Sequence, residues 1–295
     1  MIGQLAWVTA RAARGTDDDE PLALAALRSV GVEVEVVDWD DPAVDWSRFD
    51  RAVLRSTWDY TRRLPEFMAW LESVDAVTEV VNPLALVRWS SDKSYLLELA
   101  EAGIPTIPTT VVPPGAAAEI SPGGVVVKPS VGAGSRDVAA FVPGREREAA
   151  TQVDRLHAAG RTALVQPLLT SVAVDGERAL VLLDGELSHA ARKRVVIPGS
   201  VPVAPADART GTGGPLFSAE TIVAHEATHE QAALARAVVD HVSGRWGVPT
   251  YARVDLVRDD DGQDVVLEVE LVEPSLFLPQ ADREATHRLA RALTR

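Results

Sequence analysis

The sequence predicts an α/β fold whose N-terminal part is a parallel sheet. Between residues 5 and 81, short apolar runs alternate with helical patterns, and strands joined by helices usually pair in parallel. Farther along, Asp184-Gly185 and Asp261-Gly262 each separate two apolar runs, which is typical of β-hairpin turns. Because 46% of the residues are apolar, the chain can build a full hydrophobic core.

The N-terminal part is expected to contain four strands and two helices. The apolar runs that predict the strands lie at residues 5–8, 32–37, 51–54 and 77–81. Helices are expected at residues 21–30, where Gly31 ends the helix, and at residues 64–74. The loops at the carboxyl ends of such strands usually carry the functional residues, so they are the first candidates for a site.

The later part is expected to mix helices with hairpins. Ser90 or Ser91 can cap a helix that runs to residue 102, which places Lys93 in its first turn. The proline-rich stretch after this helix predicts a domain boundary within residues 85–110. Further strands are expected at residues 125–128 and 163–166, in a hairpin from residue 179, and at residues 251–257 and 265–271. Further helices are expected at residues 145–159 and 225–245.

Charge and cysteine content exclude several classes of function. The net charge of −14 argues against nucleic-acid and anionic-membrane partners, because such a surface repels both. The absence of cysteine excludes disulfides, thiolate catalysis and Cys-ligated metal centres. Without a signal peptide or a long apolar segment, the protein is expected to be soluble and cytoplasmic. A homo-oligomer is compatible with these features.

Polar residues follow the third expected strand. Arg55, Ser56 and Asp59 belong to the segment Arg55-Ser56-Thr57-Trp58-Asp59-Tyr60. They are candidates for binding a small polar substrate, because Arg suits a carboxylate and Asp suits an ammonium group. The alternative is a loop that leads into the next helix and carries an aromatic lid, and the residues leave both interpretations open.

Two lysines and a small-residue loop suggest a polyphosphate site. Lys128 ends a valine-rich strand, where its charge is costly to bury without an anion. Gly132, Gly134 and Ser135 follow, and the backbone N–H groups of such loops attract phosphate oxygens. Lys93 is expected at a helix start, where a bound anion offsets its unfavourable position in the helix dipole. The alternative is a surface hairpin on which the ammonium group of Lys128 is solvated.

Three carboxylates on the last hairpin suggest a metal site. Glu268 and Glu270 are two residues apart, so a strand places both on one face, and Asp255 is on the partner strand. Carboxylates on one face repel each other unless water or a cation separates them. This face is therefore either solvated or binds a divalent cation, and its apolar flanks favour the metal.

A competing metal motif is His225-Glu226-Ala227-Thr228-His229, which matches the H-E-x-x-H pattern of zinc peptidases. The pattern recurs by chance, and the extension that supplies a third histidine does not follow it. A solvated first helical turn is the favoured interpretation, and a zinc hydrolase that uses His225, Glu226 and His229 is the alternative. The run Asp259-Asp260-Asp261-Gly262 lacks the ligand spacing of a calcium loop and is expected to be a hairpin turn.

Together these segments resemble the ATP-grasp superfamily, and within it the glutathione-synthetase-like ligases. The resemblance covers about residues 85–280 and implies an N-terminal parallel α/β (pre-ATP-grasp) domain followed by a two-lobed α+β ATP-grasp fold. Domains are then expected at residues 1–88, 89–168 (the lid lobe) and 169–295 (the lobe with the metal site). The finer pattern resembles the branch that includes the D-cycloserine ligase, and consists of Thr57-Trp58-Asp59-Tyr60, Asn82-Pro83, Asp92-Lys93 and Glu270-Leu271-Val272-Glu273-Pro274.

The resemblance implies a role for each matching residue. It implies ATP binding by Lys93, Lys128, Gly132, Gly134, Ser135, Gln166, Leu168 and Glu177. It implies metal binding by Asp255, Glu268 and Glu270. Glu270 stands where the family pattern has Asn, which keeps an oxygen ligand and adds charge. Candidates for stabilising an acyl phosphate are Arg194, Arg209 and Arg253, and candidates for substrate binding, besides Arg55, Ser56 and Asp59, are Arg178, Gly213 and Gly214.

The implied activity is an ATP-dependent, ADP-forming carboxylate–amine ligase. The expected cofactors are ATP and Mg²⁺, with Mn²⁺ able to substitute, and the expected partner is a small amino-acid-like substrate. In such ligases ATP phosphorylates a carboxylate, and a nitrogen nucleophile then attacks the acyl phosphate, within the same molecule when the product is cyclic. An ATP-binding regulator without turnover is the alternative, and the intact carboxylates argue against it.

Overall fold

The computed structural model describes residues 2–195 and 220–295. Its first sheet is parallel, with the strand order β2-β1-β3-β4. The strands are β1 (Gln4–Thr9), β2 (Glu33–Asp38), β3 (Arg51–Ser56) and β4 (Glu79–Val81). Almost every residue of β1 and β3 is buried, as expected for central strands of a parallel sheet that is covered on both faces. The four strands predicted from the apolar runs are therefore confirmed.

The two predicted helices cover this sheet and are also confirmed. They are α1 (Glu20–Ser29) and α2 (Leu64–Asp75), and each has a proline in its first turn, where no backbone hydrogen bond is lost. An aromatic cluster packs beneath α2. The ring centroids of Trp39 and Phe67 are 5.4 Å apart, and those of Trp39 and Trp70 are 5.6 Å apart, both in edge-on geometry.

Two short helices, α3 (Leu84–Ser90) and α4 (Tyr95–Glu101), follow the first sheet. The single helix expected from Ser90 or Ser91 is wrong, because residues 91–94 form a turn between α3 and α4. The Asp92 carboxylate makes this turn by accepting hydrogen bonds from the backbone N–H of Ser94 at 2.9 Å and the hydroxyl of Ser130 at 3.0 Å. Lys93 therefore lies in the turn and not on a helix.

The middle of the chain forms an antiparallel sheet with the strand order β5-β8-β6-β7. Its elements are β5 (Thr110–Val112), β6 (Val125–Pro129), β7 (Ala139–Phe141), α5 (Glu146–Ala158) and β8 (Ala163–Pro167). Ala149, Val153 and Leu156 of α5 recur at helical spacing and pack against the valines of β6. Another short helix, α6 (Ser171–Asp175), leads to the last sheet.

The last sheet is antiparallel, with the strand order β11-β10-β9-β12-β13. Its strands are β9 (Glu177–Leu183), β10 (Glu186–Val195), β11 (Glu220–His225), β12 (Tyr251–Arg258) and β13 (Asp264–Glu270). Asp184 and Gly185 have φ angles of 50° and 79°, which the two central residues of a tight hairpin turn require. The two hairpins predicted at Asp184-Gly185 and Asp261-Gly262 are confirmed.

The helix expected from residue 225 begins later than predicted. α7 (His229–Trp246) starts after Thr228, whose side chain accepts a hydrogen bond from the backbone N–H of Gln231 as part of a capping box. His225 is instead the last residue of β11. The final helix, α8 (Ala285–Thr294), packs against α1, so the end of the chain covers the first sheet. No helix in residues 2–195 and 220–295 is long and apolar enough to cross a membrane.

Asn82 joins the first sheet to the last. Its side-chain amide donates hydrogen bonds to the carbonyl groups of Tyr251 and Leu271, both at 2.8 Å, and accepts one from the backbone N–H of Thr250 at 2.9 Å. Asn82 is 2% exposed and has a φ of 63°, a conformation that Asn tolerates better than most residues. This buried junction brings the carboxyl ends of the parallel strands close to the β12–β13 hairpin.

Candidate active site

A cavity of about 490 Å³ lies between the three sheets. Its walls come from the loops after β1 and β3, from β6 and the loop after it, from β8, and from β13 and the segment after it. All three lysines of the sequence, Lys93, Lys128 and Lys193, line this cavity, although the chain has 29 lysines and arginines together. Each is at most 8% exposed. A buried ammonium group is costly without an anion beside it, so each of these lysines needs a carboxylate of the protein or an anionic ligand.

Lys93 connects the loop after β6 to the acidic hairpin. Its ammonium group donates to the carbonyl oxygen of Gly132 at 2.6 Å and lies 3.0 Å from a carboxylate oxygen of Glu268. Burial favours the neutral form of Lys93, but the Glu268 carboxylate outweighs burial, so the pKa of Lys93 is raised. Lys93 is therefore a fixed positive charge between the two predicted halves of the site.

Lys128 differs from Lys93 in having no carboxylate partner. Within the described part of the chain its ammonium group makes no hydrogen bond or ion pair, although it is 7% exposed. Burial lowers the pKa of Lys128, and the positive charge of Lys93 adds to this effect against the attraction of Glu268. A buried ammonium group without a counter-charge is what a phosphate-binding lysine requires before its ligand arrives.

The predicted phosphate loop also lines the cavity, with Gly132, Gly134 and Ser135. Gly134 and Ser135 have φ angles of 61° and 55°, so two successive residues are left-handed. The lid-lobe residues Gln166 and Leu168 line the same cavity, and so does Glu177 at the start of β9. The eight residues to which the resemblance gives ATP binding are thus brought together at one cavity.

The two acidic strands pair as the predicted hairpin, and the structure sets their register. Asp255 of β12 is opposite Glu268 of β13, and Arg253 is opposite Glu270. Arg253 donates to both carboxylate oxygens of Asp255, at 2.9 and 3.0 Å, and also pairs with Glu270. Burial opposes ionisation of Asp255, but Arg253 and Lys193 outweigh it and keep its pKa below the ordinary value. The guanidinium group of Arg253 thus already binds two carboxylates of its own hairpin.

The chemistry of this hairpin fits a divalent cation at Glu268 and Glu270. Burial raises the pKa of Glu270, and the nearby carboxylates of Glu268 and Asp255 add to the rise against Arg253. A divalent cation supplies the charge that such crowded oxygens lack, and oxygen is the ligand that Mg²⁺ prefers. The oxygens of Asp255 already accept hydrogen bonds from Arg253 and Lys193. In residues 2–195 and 220–295, no three His, Asp or Glu side chains are grouped as metal ligands.

Arg55 and Ser56 belong to β3 and not to the loop after it, which corrects the prediction for both residues. Arg55 is 2% exposed, and its guanidinium group lies between the rings of Trp7 and Tyr251 and donates to the carbonyl of Pro274 at 2.6 Å. Ser56 is fully buried and shares a hydrogen bond of 2.6 Å with Thr9. Neither side chain lines the cavity.

Asp59 and Arg178 are also engaged elsewhere. Asp59 accepts hydrogen bonds from the indole N–H of Trp39 at 2.8 Å and from Arg63 at 3.3 Å, and it does not line the cavity. Arg178 is buried in β9, where it donates to the carbonyl of Gly176. The structure therefore supports the alternative for the segment after β3, in which Asp59 anchors the following turn. Trp58 and Tyr60 of this segment do line the cavity.

Four predicted residues cannot be placed against the cavity. Arg209, Gly213 and Gly214 lie outside the described residues, and for Arg194 the structure describes only the backbone, in β10. Of the arginines considered for acyl-phosphate stabilisation, Arg253 alone has a described side chain.

Lys193 is a site residue that the sequence interpretation missed. Its ammonium group lies 2.7 Å from carboxylate oxygens of both Glu177 and Asp255. It therefore joins Glu177, a predicted ATP-binding residue, to the predicted metal-binding hairpin. Burial favours the neutral form, but the two carboxylates outweigh it and raise the pKa of Lys193. A usable signal was present, because Lys193 is the third of only three lysines in the sequence.

Two buried acids at the cavity were also missed. Asp17, after β1, is 7% exposed, and burial raises its pKa to about 6. Glu273 is 6% exposed, shares a hydrogen bond with the Tyr60 hydroxyl, and has a pKa raised by burial and by Glu270. Both follow the ends of strands, Asp17 in the run Asp17-Asp18-Asp19 and Glu273 three residues after β13, and those positions were the available signal.

The zinc motif is not assembled. His225 ends a strand and His229 begins a helix, so the two imidazoles are not one turn apart on one helix as the motif needs. The Nε2 atom of His225 instead shares a hydrogen bond of 2.9 Å with Gln231. The histidines therefore belong to the entry of α7.

Comparison with known proteins assigns the chain to a family. It is 39% identical to the cycloserine biosynthesis protein DcsG of Streptomyces lavendulae, over 99% of this chain and 98% of that protein. The chain belongs to the D-cycloserine synthetase family of ATP-grasp ligases. The family model for the N-terminal domain of D-cycloserine synthetase matches residues 5–82. The crystal structure of D-cycloserine synthetase DcsG superimposes with a TM-score of 0.87 at 39% identity, covering 99% of this chain and 98% of that one.

More distant ATP-grasp proteins share the fold of the family. A RimK domain protein from Sphaerobacter thermophilus DSM 20745 superimposes with a TM-score of 0.65 at 23% identity, over 98% of this chain and 99% of that one. The D-alanine–D-alanine ligase of Bacillus anthracis, complexed with ATP, superimposes with a TM-score of 0.63 at 14% identity. The match covers 98% of this chain and 95% of that one. The fold is therefore the ATP-grasp fold, and this member of the family is an ATP-dependent, ADP-forming ligase.

Proposed function

We propose that this ligase closes a ring within one amino-acid-like substrate, joining the substrate carboxyl carbon to a nitrogen of the same molecule. The proposal rests on full-length similarity to a protein of cycloserine biosynthesis. Cycloserine is the internal amide of O-amino-serine, so the amino-oxy nitrogen is the nucleophile in this proposal. The balanced reaction is O-amino-D-serine plus ATP giving D-cycloserine, ADP and inorganic phosphate.

The proposed reaction has two steps. A carboxylate oxygen of the substrate attacks the γ-phosphorus of ATP, and the bond between that phosphorus and the oxygen it shares with the β-phosphate breaks, leaving ADP. The amino-oxy nitrogen then attacks the carbonyl carbon of the acyl phosphate, loses a proton to solvent, and displaces inorganic phosphate. Neither step needs a side-chain nucleophile, so the site acts by positioning the substrates and neutralising charge.

Within the site, the contact of Lys93 with both Gly132 and Glu268 supports the phosphoryl-transfer step of the proposal. It links the phosphate loop to the acidic hairpin through one ammonium group, which supports binding of the γ-phosphate of ATP beside Lys93. Lys128 is the second cation for the same phosphates, and Gln166, Leu168 and Glu177 lie where the adenosine part would bind. In this arrangement the positive charge is already fixed where negative charge moves during phosphoryl transfer.

Glu268 and Glu270 are the proposed ligands of Mg²⁺, with Asp255 joining them when its bonds to Arg253 or Lys193 are exchanged. When bound, Mg²⁺ would neutralise the phosphate oxygens of ATP during transfer. Substitution of Mn²⁺ for Mg²⁺ stays a prediction. The roles of Arg194, Arg209, Gly213 and Gly214 toward the substrate likewise stay predictions.

Exclusion of water is part of the proposed function, because an acyl phosphate hydrolyses in water. Val131, at the start of the phosphate loop, packs with the core of the first sheet, whose residues Trp58 and Tyr60 line the cavity. The loop thus packs against the hydrophobic core of the N-terminal part. This contact would shield the intermediate while the ring closes.

An ADP-release screen tests the proposal. The purified chain is incubated with ATP, Mg²⁺ and one of O-amino-D-serine, O-ureido-D-serine, D-serine or a D-alanine pair, and products are identified by mass spectrometry. We expect ADP release with O-amino-D-serine together with D-cycloserine, or with O-ureido-D-serine together with the ring that keeps the carbamoyl group on its nitrogen. Release of ADP only with two separate amino acids would contradict ring closure, and nucleotide binding without ADP release in any mixture would favour the regulator.

A further inference from the structure

The charged side chains of the cavity differ in whether they already have a partner. The cationic side chains that line it are Lys93, Lys128, Arg136, Lys193 and Arg253. Lys93 pairs with Glu268, and Lys193 and Arg253 both pair with Asp255. Within residues 2–195 and 220–295, Lys128 and Arg136 make no such pair. Lys128 belongs to the proposed nucleotide site, so the function of Arg136 remains to be explained.

Arg136 is held in a half-buried position without a counter-charge. The carboxylate next to it in the chain, Asp137, is already occupied, because it accepts hydrogen bonds from Arg155 at 2.6 Å and from Arg161 at 2.7 Å. Burial lowers the pKa of Arg136, and the positive charge of Arg62 lowers it further. A guanidinium group that lines a cavity among other cations is stabilised when an anion binds beside it.

The loop around Arg136 is braced from the lid lobe. Arg161 donates to the carbonyl of Val131 at 2.8 Å as well as to Asp137, so one side chain ties both ends of the loop. Gln152 of α5 donates to the carbonyl of Asp137 at 3.0 Å. Because Asp137 has a φ of 60°, these contacts hold a backbone conformation that few residues adopt freely. The position of Arg136 is therefore set by the fold.

Arg136 lies toward the N-terminal part, away from the proposed adenosine end. Its electrostatic neighbours include Arg62 and Asp59 of the segment after β3, and Val131 of the same loop packs against the core of the first sheet. The proposed adenosine contacts, Gln166 and Leu168, belong to β8 and the residue after it. An anion bound at Arg136 would therefore be the substrate group that approaches the γ-phosphate. It would not be the α-phosphate or the β-phosphate of ATP.

We propose that Arg136 is a catalytic residue that binds the substrate carboxylate and then the acyl phosphate formed from it. This inference rests on the proposed acyl-phosphate reaction. As the carboxylate attacks phosphorus, and again as the nitrogen attacks the carbonyl carbon, negative charge gathers on oxygens that two guanidinium N–H groups can bind together. Arg136 thus takes the role that the sequence left open among Arg194, Arg209 and Arg253, of which Arg253 is occupied by Asp255 and Glu270.

The test replaces Arg136 by Ala and by Lys, with Arg147→Ala as the matched control, because Arg147 is exposed on α5 outside the cavity. ADP release is measured with the substrate that supports turnover in the native chain, and ATP affinity is measured by titration. We expect Arg136→Ala to lower kcat by about 100-fold or more, with the dissociation constant for MgATP nearly unchanged. Lys keeps the charge but not the paired N–H groups, so Arg136→Lys should recover only part of the rate.

Chemical rescue separates a catalytic contact from a structural one. Free guanidinium ion added to Arg136→Ala should restore part of the rate, and it should not affect the native chain or Arg147→Ala. An unchanged kcat in Arg136→Ala, or an equal loss of MgATP affinity, would overturn the inference. These outcomes differ from failure of the proposed function, in which the native chain itself releases no ADP with any amino-oxy or ureido-oxy substrate.

Discussion

The ammonium group of Lys93 lies 3.0 Å from a carboxylate oxygen of Glu268, although the two residues are 175 positions apart. Lys93 belongs to a turn between two short helices, and Glu268 belongs to the last hairpin. Their contact neutralises one buried charge with another, and among the residues that the structure describes no carboxylate pairs with Lys128. Lys93 is therefore positioned by the protein, whereas Lys128 is available to a ligand.

Lys128 is expected to contribute directly to nucleotide binding. Replacing Lys128 by Ala removes a charge-assisted contact worth about 1.5–3 kcal/mol, which corresponds to roughly 10- to 100-fold weaker binding of MgATP. Titration calorimetry measures this change, and Arg147→Ala, an exposed cation of the same lobe, is the control. Equal affinities for the native chain and Lys128→Ala would remove Lys128 from the nucleotide site.

Glu268 is expected to be essential for turnover. Glu268→Gln keeps the size of the side chain but removes its negative charge, so it weakens both the pair with Lys93 and the proposed metal site. ADP release should fall below detection at Mg²⁺ concentrations that saturate the native chain, while the circular dichroism spectrum is unchanged. Normal turnover in this variant would mean that the acidic face is only solvated.

Lys193 is expected to stabilise the fold as well as the site. Its removal in Lys193→Met leaves the buried Asp255 and the partly buried Glu177 each with one partner fewer, and breaking a buried ion pair typically costs about 3–5 kcal/mol of unfolding free energy. Adding Glu177→Gln removes one of the uncompensated charges and should restore part of that loss. Urea unfolding of both variants measures the difference, and a double variant no more stable than the single one would contradict the pairing.

Asp17 is expected to make stability depend on pH. Its pKa is raised from 3.8 to about 6 by burial, so the native state holds the proton more tightly than the unfolded state. The resulting stabilisation is complete below pH 3.8 and is lost as the pH rises through about 6, a change of about 3 kcal/mol. Asp17→Asn cannot ionise, so its stability relative to the native chain should rise across this interval. The same difference in unfolding free energy between Asp17→Asn and the native chain at every pH would contradict this prediction.

Asp59 is expected to matter for stability and not for substrate affinity. Its carboxylate accepts the indole N–H of Trp39 and does not line the cavity. Asp59→Ala leaves that buried N–H without a partner, which costs about 1–3 kcal/mol and lowers the thermal midpoint. Asp59→Asn keeps an acceptor and is the control. A raised substrate KM in Asp59→Ala, with an unchanged thermal midpoint, would return Asp59 to the substrate site.

Much of the fold was predictable because it depends on local patterns. The strands of the first sheet, the two hairpin turns and the α5 helix follow from apolar runs, turn residues and helical spacing, which act over a few neighbouring residues. The two misplaced helix starts, near Ser91 and His225, have a common cause. In each case side-chain hydrogen bonds fix the turn: Asp92 accepts from Ser94 and Ser130, and Thr228 and Gln231 form the capping box that starts α7.

The sequence by itself determined the chemical components of the site. These are the lysines, the small-residue loop, and two carboxylates that share one face of a strand because they are two residues apart. The tertiary structure alone decided how these components are paired. The half-buried Asp59 and the buried Arg55 carried suitable charges but became anchors of the fold, whereas Lys193, Asp17 and Arg136 gained importance from the cavity that they line. The physical reason is that the burial of a charged side chain, and the opposite charges near it, depend on residues far apart in the chain. Burial and opposite charge then decide whether that side chain supports the fold or remains available to a ligand.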